Sequence, residues 1–200
     1  MPVSQKRFSV KRYEPSDART TIEIFLRAVR EVASKDYSPE QVAAWAKVDD
    51  AGVWAQYRAS RPTWLAVDGS TPIGFTDLKP DGCLDMMFVS PDYQGKGVAS
   101  LLLETVERAA REQGLQRIFT EASLTARPFF ERRGFIILAA QQVEKRGQIL
   151  SNFLMEKHLL RPERRRSTPY CGELRKLRIR GPRGIPPDER HSVPWCRLRN

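Results

Sequence analysis

Hydrophobic positions along this chain change their spacing several times, and each change marks an element. Phe8 and Val10 alternate with polar neighbours up to Tyr13, the pattern of a short half-buried strand, which stops at Pro15-Ser16-Asp17. Ile22, Phe25, Ala28, Val29 and Val32 then recur at helical spacing and predict a helix to about Ser34. Ser38-Pro39-Glu40-Gln41 combines a capping serine, proline at the first helical position and a glutamine three residues beyond the cap, so a short second helix carries Val42 and Trp45. A third helical piece is expected over residues 50–58.

From Thr63 the period becomes two. Trp64-Leu65-Ala66-Val67, the turn at Asp68-Gly69 and a second run from Ile73 to Leu78 read as a hairpin, with a four-residue loop that leaves the register open. A further strand is expected over residues 83–89, ended by Ser90-Pro91-Asp92. Residues 96–113 place Val98, Leu101, Leu102, Val106 and Ala109 on one side and end at Gly114, as in a long amphipathic helix. A short strand over 118–122, a helix over 126–133 stopped by Gly134, and a closing hairpin of 135–143 and 149–156 through Lys145-Arg146-Gly147 complete the order. Strand, helices, three strands, helix, strand, helix and two strands make an α/β chain: a mixed, largely antiparallel sheet with helices on its faces.

Composition changes this picture only at one end. The 200 residues, 40% hydrophobic, suffice for one domain of ordinary size. The formal charge of +10 suggests a nucleic-acid partner until it is located: residues 161–200 hold 12 of the 34 Lys and Arg and 4 of the 24 Asp and Glu, a net +8, which leaves +2 for the rest. We therefore expect a domain over 1–160 and a basic, Pro- and Arg-rich tail over 161–200 without ordered structure, being either an added arm or the product of a shifted reading frame. Cys83, Cys171 and Cys196, with His191, lack disulfide-framework or zinc spacing, so no metal is expected. Residues 1–7 do not read as a secretory segment and no run approaches 18 apolar residues, which predicts a cytoplasmic protein without membrane partners.

Tyr93-Gln94-Gly95-Lys96-Gly97-Val98-Ala99 lies between a strand and a long helix, where the first-turn amides have no partner inside the helix. Such a mouth attracts anions: the helix dipole adds partial positive charge, and the two glycines admit a phosphate close to the backbone. The segment lacks both the Gly-Lys-Ser/Thr ending of a nucleotide P-loop and the three-glycine dinucleotide pattern.

Residues 84–102, Leu-Asp-Met-Met-Phe-Val-Ser-Pro-Asp-Tyr-Gln-Gly-Lys-Gly-Val-Ala-Ser-Leu-Leu, resemble the cofactor-binding motif of the GCN5-related N-acetyltransferase superfamily, with Gln94, Gly97 and Ala99 on its Gln/Arg-x-x-Gly-x-Gly/Ala core. Residues 126–135, Ala-Arg-Pro-Phe-Phe-Glu-Arg-Arg-Gly-Phe, are similar to the family's second segment. The resemblance spans about residues 7 to 158 and points to an uncharacterised bacterial branch. It implies the family's acyl-CoA N-acyltransferase fold, in which two strands splay apart and the pantetheine arm of acetyl-CoA lies between them.

By that resemblance Met87, Phe88 and Val89 offer backbone hydrogen bonds to the pantetheine or thioester, and the amides of Gln94, Gly95, Lys96, Gly97, Val98, Ala99 and Ser100 hold the pyrophosphate. An amine would attack the thioester directly, with a carboxylate as base; Asp85 and Glu121, acidic residues in otherwise apolar strands, are the candidates. Two departures stand out. Phe130 occupies the place of a tyrosine that often serves as acid and has no proton to give, and Ser123 stands where an asparagine often contacts the cofactor. Tyr37, Trp45 and Trp54 fall where the family's acceptor wall lies; Tyr37 and Trp45 are candidates for it, with Tyr37 the better substrate contact and a core role the stronger reading for Trp45. The expected reaction is acetyl transfer to a primary amine of a small molecule, with a non-catalytic acyl-CoA-binding module, or an acetyltransferase for a protein, peptide or aminoacyl-tRNA amino group, as alternatives. No specific nucleic-acid partner is expected, and the assembly, a homodimer included, is left open. Removing residues 161–200 is expected to leave the thermal unfolding transition and acetyl transfer in place, both measured on the truncated chain.

Overall fold

A computed structural model describes residues 8–159, so the readings of the N-terminal segment and of the 161–200 tail lie outside the described residues. Strand β1 (Ser9–Arg12) leads through a tight turn into α1 (Ala18–Arg27). That helix continues as a wider turn over Ala28–Val32 and a tight one over Ala33–Lys35. Then come α2 (Pro39–Trp45), α3 (Ala51–Ala59), β2 (Thr63–Asp68), β3 (Thr71–Asp77), β4 (Met87–Val89), α4 (Val98–Glu112), β5 (Arg117–Ser123), α5 (Arg127–Arg132), β6 (Ile136–Lys145) and β7 (Gln148–His158).

The helices start where their caps dictate. The Ser38 hydroxyl accepts from the Gln41 amide while the Gln41 side chain accepts from the Ser38 amide, and the Asp50 carboxylate accepts from the amides of Gly52 and Val53.

The strands form two antiparallel sheets, β1-β2-β3-β4 and β5-β7-β6. Helices cover both sides. Leu103, Val106 and Ala110 of α4 and Phe130 of α5 bury against Leu84, Ile118, Ala122, Phe135 and Met155. On the opposite face Ile24, Phe25 and Val29 pack with Tyr37, Leu65, Phe75 and Leu150. Burial at about 25 cal/mol per Å² of apolar surface makes these two layers the principal source of stability. Gly74 is required where β3 passes beneath α4: a Cβ there would lie 2.9 Å from the Phe88 carbonyl oxygen and 3.2 Å from the side chains of Leu102 and Val98.

Three boundaries differ from the sequence reading. The hairpin loop shrinks to Gly69 and Ser70, because β3 begins at Thr71 and a bulge between Ala66 and Val67 absorbs the register. The closing turn is Arg146-Gly147, with φ of 47° and 75° as a two-residue hairpin of matching twist demands, so Lys145 belongs to β6. The strand expected over 83–89 is regular only at Met87–Val89. The cause is Asp77: its Oδ1 accepts from the amides of both Asp85 (3.2 Å) and Met86 (2.8 Å), which bends the backbone out of the ladder.

The other oxygen of Asp77 accepts from Arg58 at 2.8 Å, and both side chains are almost wholly buried. Burial pushes the Asp77 carboxyl up, while Arg58 and the Met86 amide oppose it. Removing one member strands a buried charge. Asp77→Ala is expected to destabilise the domain by about 3–5 kcal/mol in denaturant unfolding.

Candidate active site between two parting strands

The two sheets meet along β4 and β5, and they are joined at one end only. The Leu84 amide donates to the Phe119 carbonyl (2.8 Å), the Phe119 amide donates to the Gly82 carbonyl (3.1 Å), and the Thr120 hydroxyl donates to the Leu84 carbonyl (2.8 Å). Gly82 allows this approach, since its φ is +91° and a Cβ would stand 2.7 Å from the Arg117 carbonyl oxygen. Beyond that point no ladder joins β4 to β5; β4 pairs with β3, and β5 with β7.

The antiparallel alternation decides which groups of β4 face the gap. Met86 accepts from Asp77 and Ser90 donates to Ile73, so residues 86, 88 and 90 turn toward β3 while Met87 and Val89 turn away from it. Of the three residues expected to offer backbone groups, Phe88 therefore spends its own on the ladder; its ring packs on Phe25 and Phe75. The Val89 carbonyl accepts from the Gln94 side chain at 3.0 Å, which ties the strand end to the glycine loop.

That loop is open. Residues 94–97 are exposed, Gly95 and Gly97 take φ of 72° and 87°, and a Cβ on either would meet nothing within 4 Å. The first amide inside α4 to find a helical partner is that of Leu101, donating to Gly97. The amides of Val98, Ala99 and Ser100, without helical partners, thus form the positive end of a 15-residue helix behind the exposed loop. Arg133, just past α5, donates to the Ser100 hydroxyl and brings a guanidinium to this mouth. Lys96 lies over the Tyr93 ring, 4.9 Å from its centroid.

The two carboxylates expected near the gap have different surroundings. Asp85 faces Arg61 at 3.0 Å, Lys79 at 3.1 Å and Arg58 at 3.7 Å. Glu121 keeps an exposed edge, yet nearby atoms desolvate its carboxyl and push it up; the negative charge of Asp85 adds to the shift, and Lys79 and Asn152 pull it back. The register of β5, β7 and β6 puts Glu121, Ser123, Asn152, Gln141 and Lys145 on one face, the face that carries Leu150 against Tyr37 and Trp45.

The remaining candidates are engaged in structure. The Tyr37 hydroxyl donates to the Ser151 carbonyl (2.6 Å) and accepts from the Leu124 amide (3.0 Å), pinning the start of α2 to the second sheet. Burial pushes its phenol up. Trp45 is half-buried, edge-on to Tyr37 and Phe88. Trp54 donates to the Thr21 hydroxyl and packs on Phe25. The Ser123 hydroxyl accepts from the Ala126 amide at the start of α5, and Phe130 is buried between Phe129 and Phe135. A cleft of about 610 Å³ beside α2, lined by Arg30, Tyr37, Val42 and Lys47 among others, includes no residue of the glycine loop or of β4 and β5. Sequence reasoning missed Arg133, Gln141, Asn152 and Lys145. Polar residues in an apolar strand signalled the middle two, and nothing local signalled the others.

Residues 33–158 match the family model described as an acetyltransferase (GNAT) domain. The chain is 39% identical over 146 residues to the uncharacterized N-acetyltransferase YafP of Escherichia coli, covering 73% of this chain and 93% of that protein. Among solved structures, a GCN5-related N-acetyltransferase from Rhodopseudomonas palustris superposes with a TM-score of 0.75 at 33% identity, over 80% of this chain and all of that one. PaiA N-acetyltransferase from Thermoplasma acidophilum, solved with coenzyme A, shares the fold at a TM-score of 0.62 and 21% identity, over 76% of this chain and 98% of its own. Parting strands that end at an open helix mouth, on a chain matched over most of its described length, make this protein a member of the GNAT acetyltransferase family and an acetyl-CoA-dependent N-acetyltransferase.

Proposed function

We propose that acetyl-CoA lies in the gap between β4 and β5, with its pyrophosphate on the amides of residues 94–100, and that a primary amine of a small molecule is acetylated there. The observation that carries this reading is the gap itself, which opens at Leu84 and leads to the exposed glycine loop at the start of α4. The complex of PaiA with coenzyme A supports the cofactor. Ser100 and the Arg133 guanidinium beside it add a hydroxyl and a cation at the phosphate end. The outward groups of Met87 and Val89 suit the pantetheine amides, with Gln94 already occupying the Val89 carbonyl.

The amine nitrogen attacks the thioester carbonyl, forming the C–N bond while the C–S bond breaks. One N–H proton passes to a carboxylate, and the departing thiolate takes a proton from water, since Phe130 has none to give. Of the two candidate bases, we assign the role to Glu121. Asp85 is engaged in ion pairs with three cations, Arg61, Lys79 and Arg58, which occupy its carboxylate oxygens. Glu121 has the opposite environment: desolvation favours its protonated form. Asp85 then serves by raising the basicity of Glu121 through its own charge.

Acetyl-CoA at about 100 times its dissociation constant is expected to stabilise the folded chain by about 2.7 kcal/mol, read as a thermal shift of several degrees. Gly97→Val, forced into a left-handed backbone that β-branched residues avoid, is expected to abolish that shift. An unshifted melting curve for the unaltered chain overturns the cofactor assignment. Because the Glu121 carboxyl is raised, the base is lost as pH falls through a value above the ordinary glutamate range. Thiol release from acetyl-CoA is therefore expected to show an acid limb displaced upward in kcat/KM, and Glu121→Gln is expected to lower kcat/KM about 100-fold and remove that limb.

A further inference from the structure

On the face that β5, β7 and β6 turn toward α2, the polar groups left over by the fold are unusual in kind. Gln141 and Asn152 sit opposite one another in the ladder, and the side-chain oxygen of each is buried without a hydrogen-bond partner among the described residues. A buried acceptor left unsatisfied is costly, so two on one face are retained against a steady penalty. Glu121 lies diagonally across from Asn152 on the same face and is itself an acceptor when ionised. Asn152 already gives an amide N–H to Glu121, and what remains unmet at this end of the face is the two amide oxygens, so a group made of donors, such as an ammonium with its three N–H bonds, suits it.

Four residues further along β6, on the same face, stands Lys145, about 13 Å from Gln141 by strand rise. It is half-buried, and among the described residues it makes no hydrogen bond or ion pair. Its charged neighbours act only at a distance: Asp85 and Asp49 attract it, Arg146 repels it, and desolvation outweighs them and lowers its affinity for its proton. Arg146 beside it is already committed to the Ala44 carbonyl and to Asp49. A lysine stem can span several ångströms back along the strand toward the acceptor end. The charge of Asp85 acts on both Glu121 and Lys145, and the register puts both on one face.

We propose that the acceptor is a zwitterion: its amine rests against Glu121, Asn152 and Gln141, and an anionic group at its other end, a carboxylate or a phosphate, is held by Lys145. This rests on acetyl transfer to an amine at the gap and adds the class of molecule that enters. An anion supplies Lys145 with the partner the fold withholds, and the ammonium supplies the two orphan oxygens with donors. A neutral alkylamine satisfies only half of the face.

The test is steady-state thiol release from acetyl-CoA by the full chain, with matched pairs of amines. One pair is 5-aminopentanoate and pentylamine; the other is O-phosphoethanolamine and ethanolamine. The unaltered enzyme is expected to favour the anionic member of at least one pair by about tenfold or more in kcat/KM, the scale of one charge-assisted hydrogen bond, and the favoured pair distinguishes carboxylate from phosphate. In Lys145→Met that ratio is expected to fall toward one through a higher KM for the anionic amine, and Lys145→Arg is expected to restore it. The acetyl-CoA thermal shift of each variant reports that it is folded and loaded. Turnover of neutral amines with no anionic preference, or a preference that survives in Lys145→Met, overturns the proposal and leaves amine acetylation standing. Absence of thiol release with every amine, despite an acetyl-CoA thermal shift, overturns acetyl transfer and this inference together.

Discussion

Everything at the site depends on two sheets being stitched at Gly82, Leu84, Phe119 and Thr120 and left unpaired beyond them. Backbone groups buried without partners are costly, so a gap between adjacent strands persists only where something else occupies it or where the strands are held apart. Here both conditions are built in. Helix α4 enters immediately after β4, and Gly74 lets it sit tight against β3 and β4, so β4 follows its own sheet rather than β5. On the other side β5 is drawn into a seven-residue ladder with β7. The result is a slot with backbone groups along one wall and a positive helix end at its mouth.

Charge is distributed about this slot with economy. Asp77 and Arg58 are buried at the closed end, where Asp77 also holds the amides of Asp85 and Met86, so a single carboxylate neutralises an internal cation and shapes the entry to β4. Asp85 meets three cations. Its negative charge adds to the desolvation that raises the affinity of Glu121 for a proton, so two acids with similar sequence settings stand in distinct surroundings.

Among the described residues two amide oxygens on the second sheet lack partners and Lys145 makes no ion pair; on the proposed reading a ligand of complementary polarity would meet them. Tyr37 contributes in another way. By bonding both Ser151 and Leu124 it fixes the start of α2 against the second sheet.

Periodicity alone determined the elements of this protein, because amphipathic spacing, the Ser38 cap, and the glycines at 95, 97, 114 and 134 are local signals that need no tertiary context. The same local signals located the glycine loop, and with it the open mouth of α4. What tertiary structure decided was every role that depends on which side chains meet. The strand over 83–89 broke because a carboxylate six residues away from its first member captured two of its amides; Phe88 was withdrawn from the gap by ladder alternation; Asp85 and Glu121 parted because cations from α3 and its following loop reach one and not the other. Lys145, Gln141 and Asn152 came to one face through the register of β6 and β7, set by a two-residue turn and a bulge that cross-strand packing selects. Short-range pattern specifies backbone, whereas pairing, burial and the field of distant charges specify chemistry.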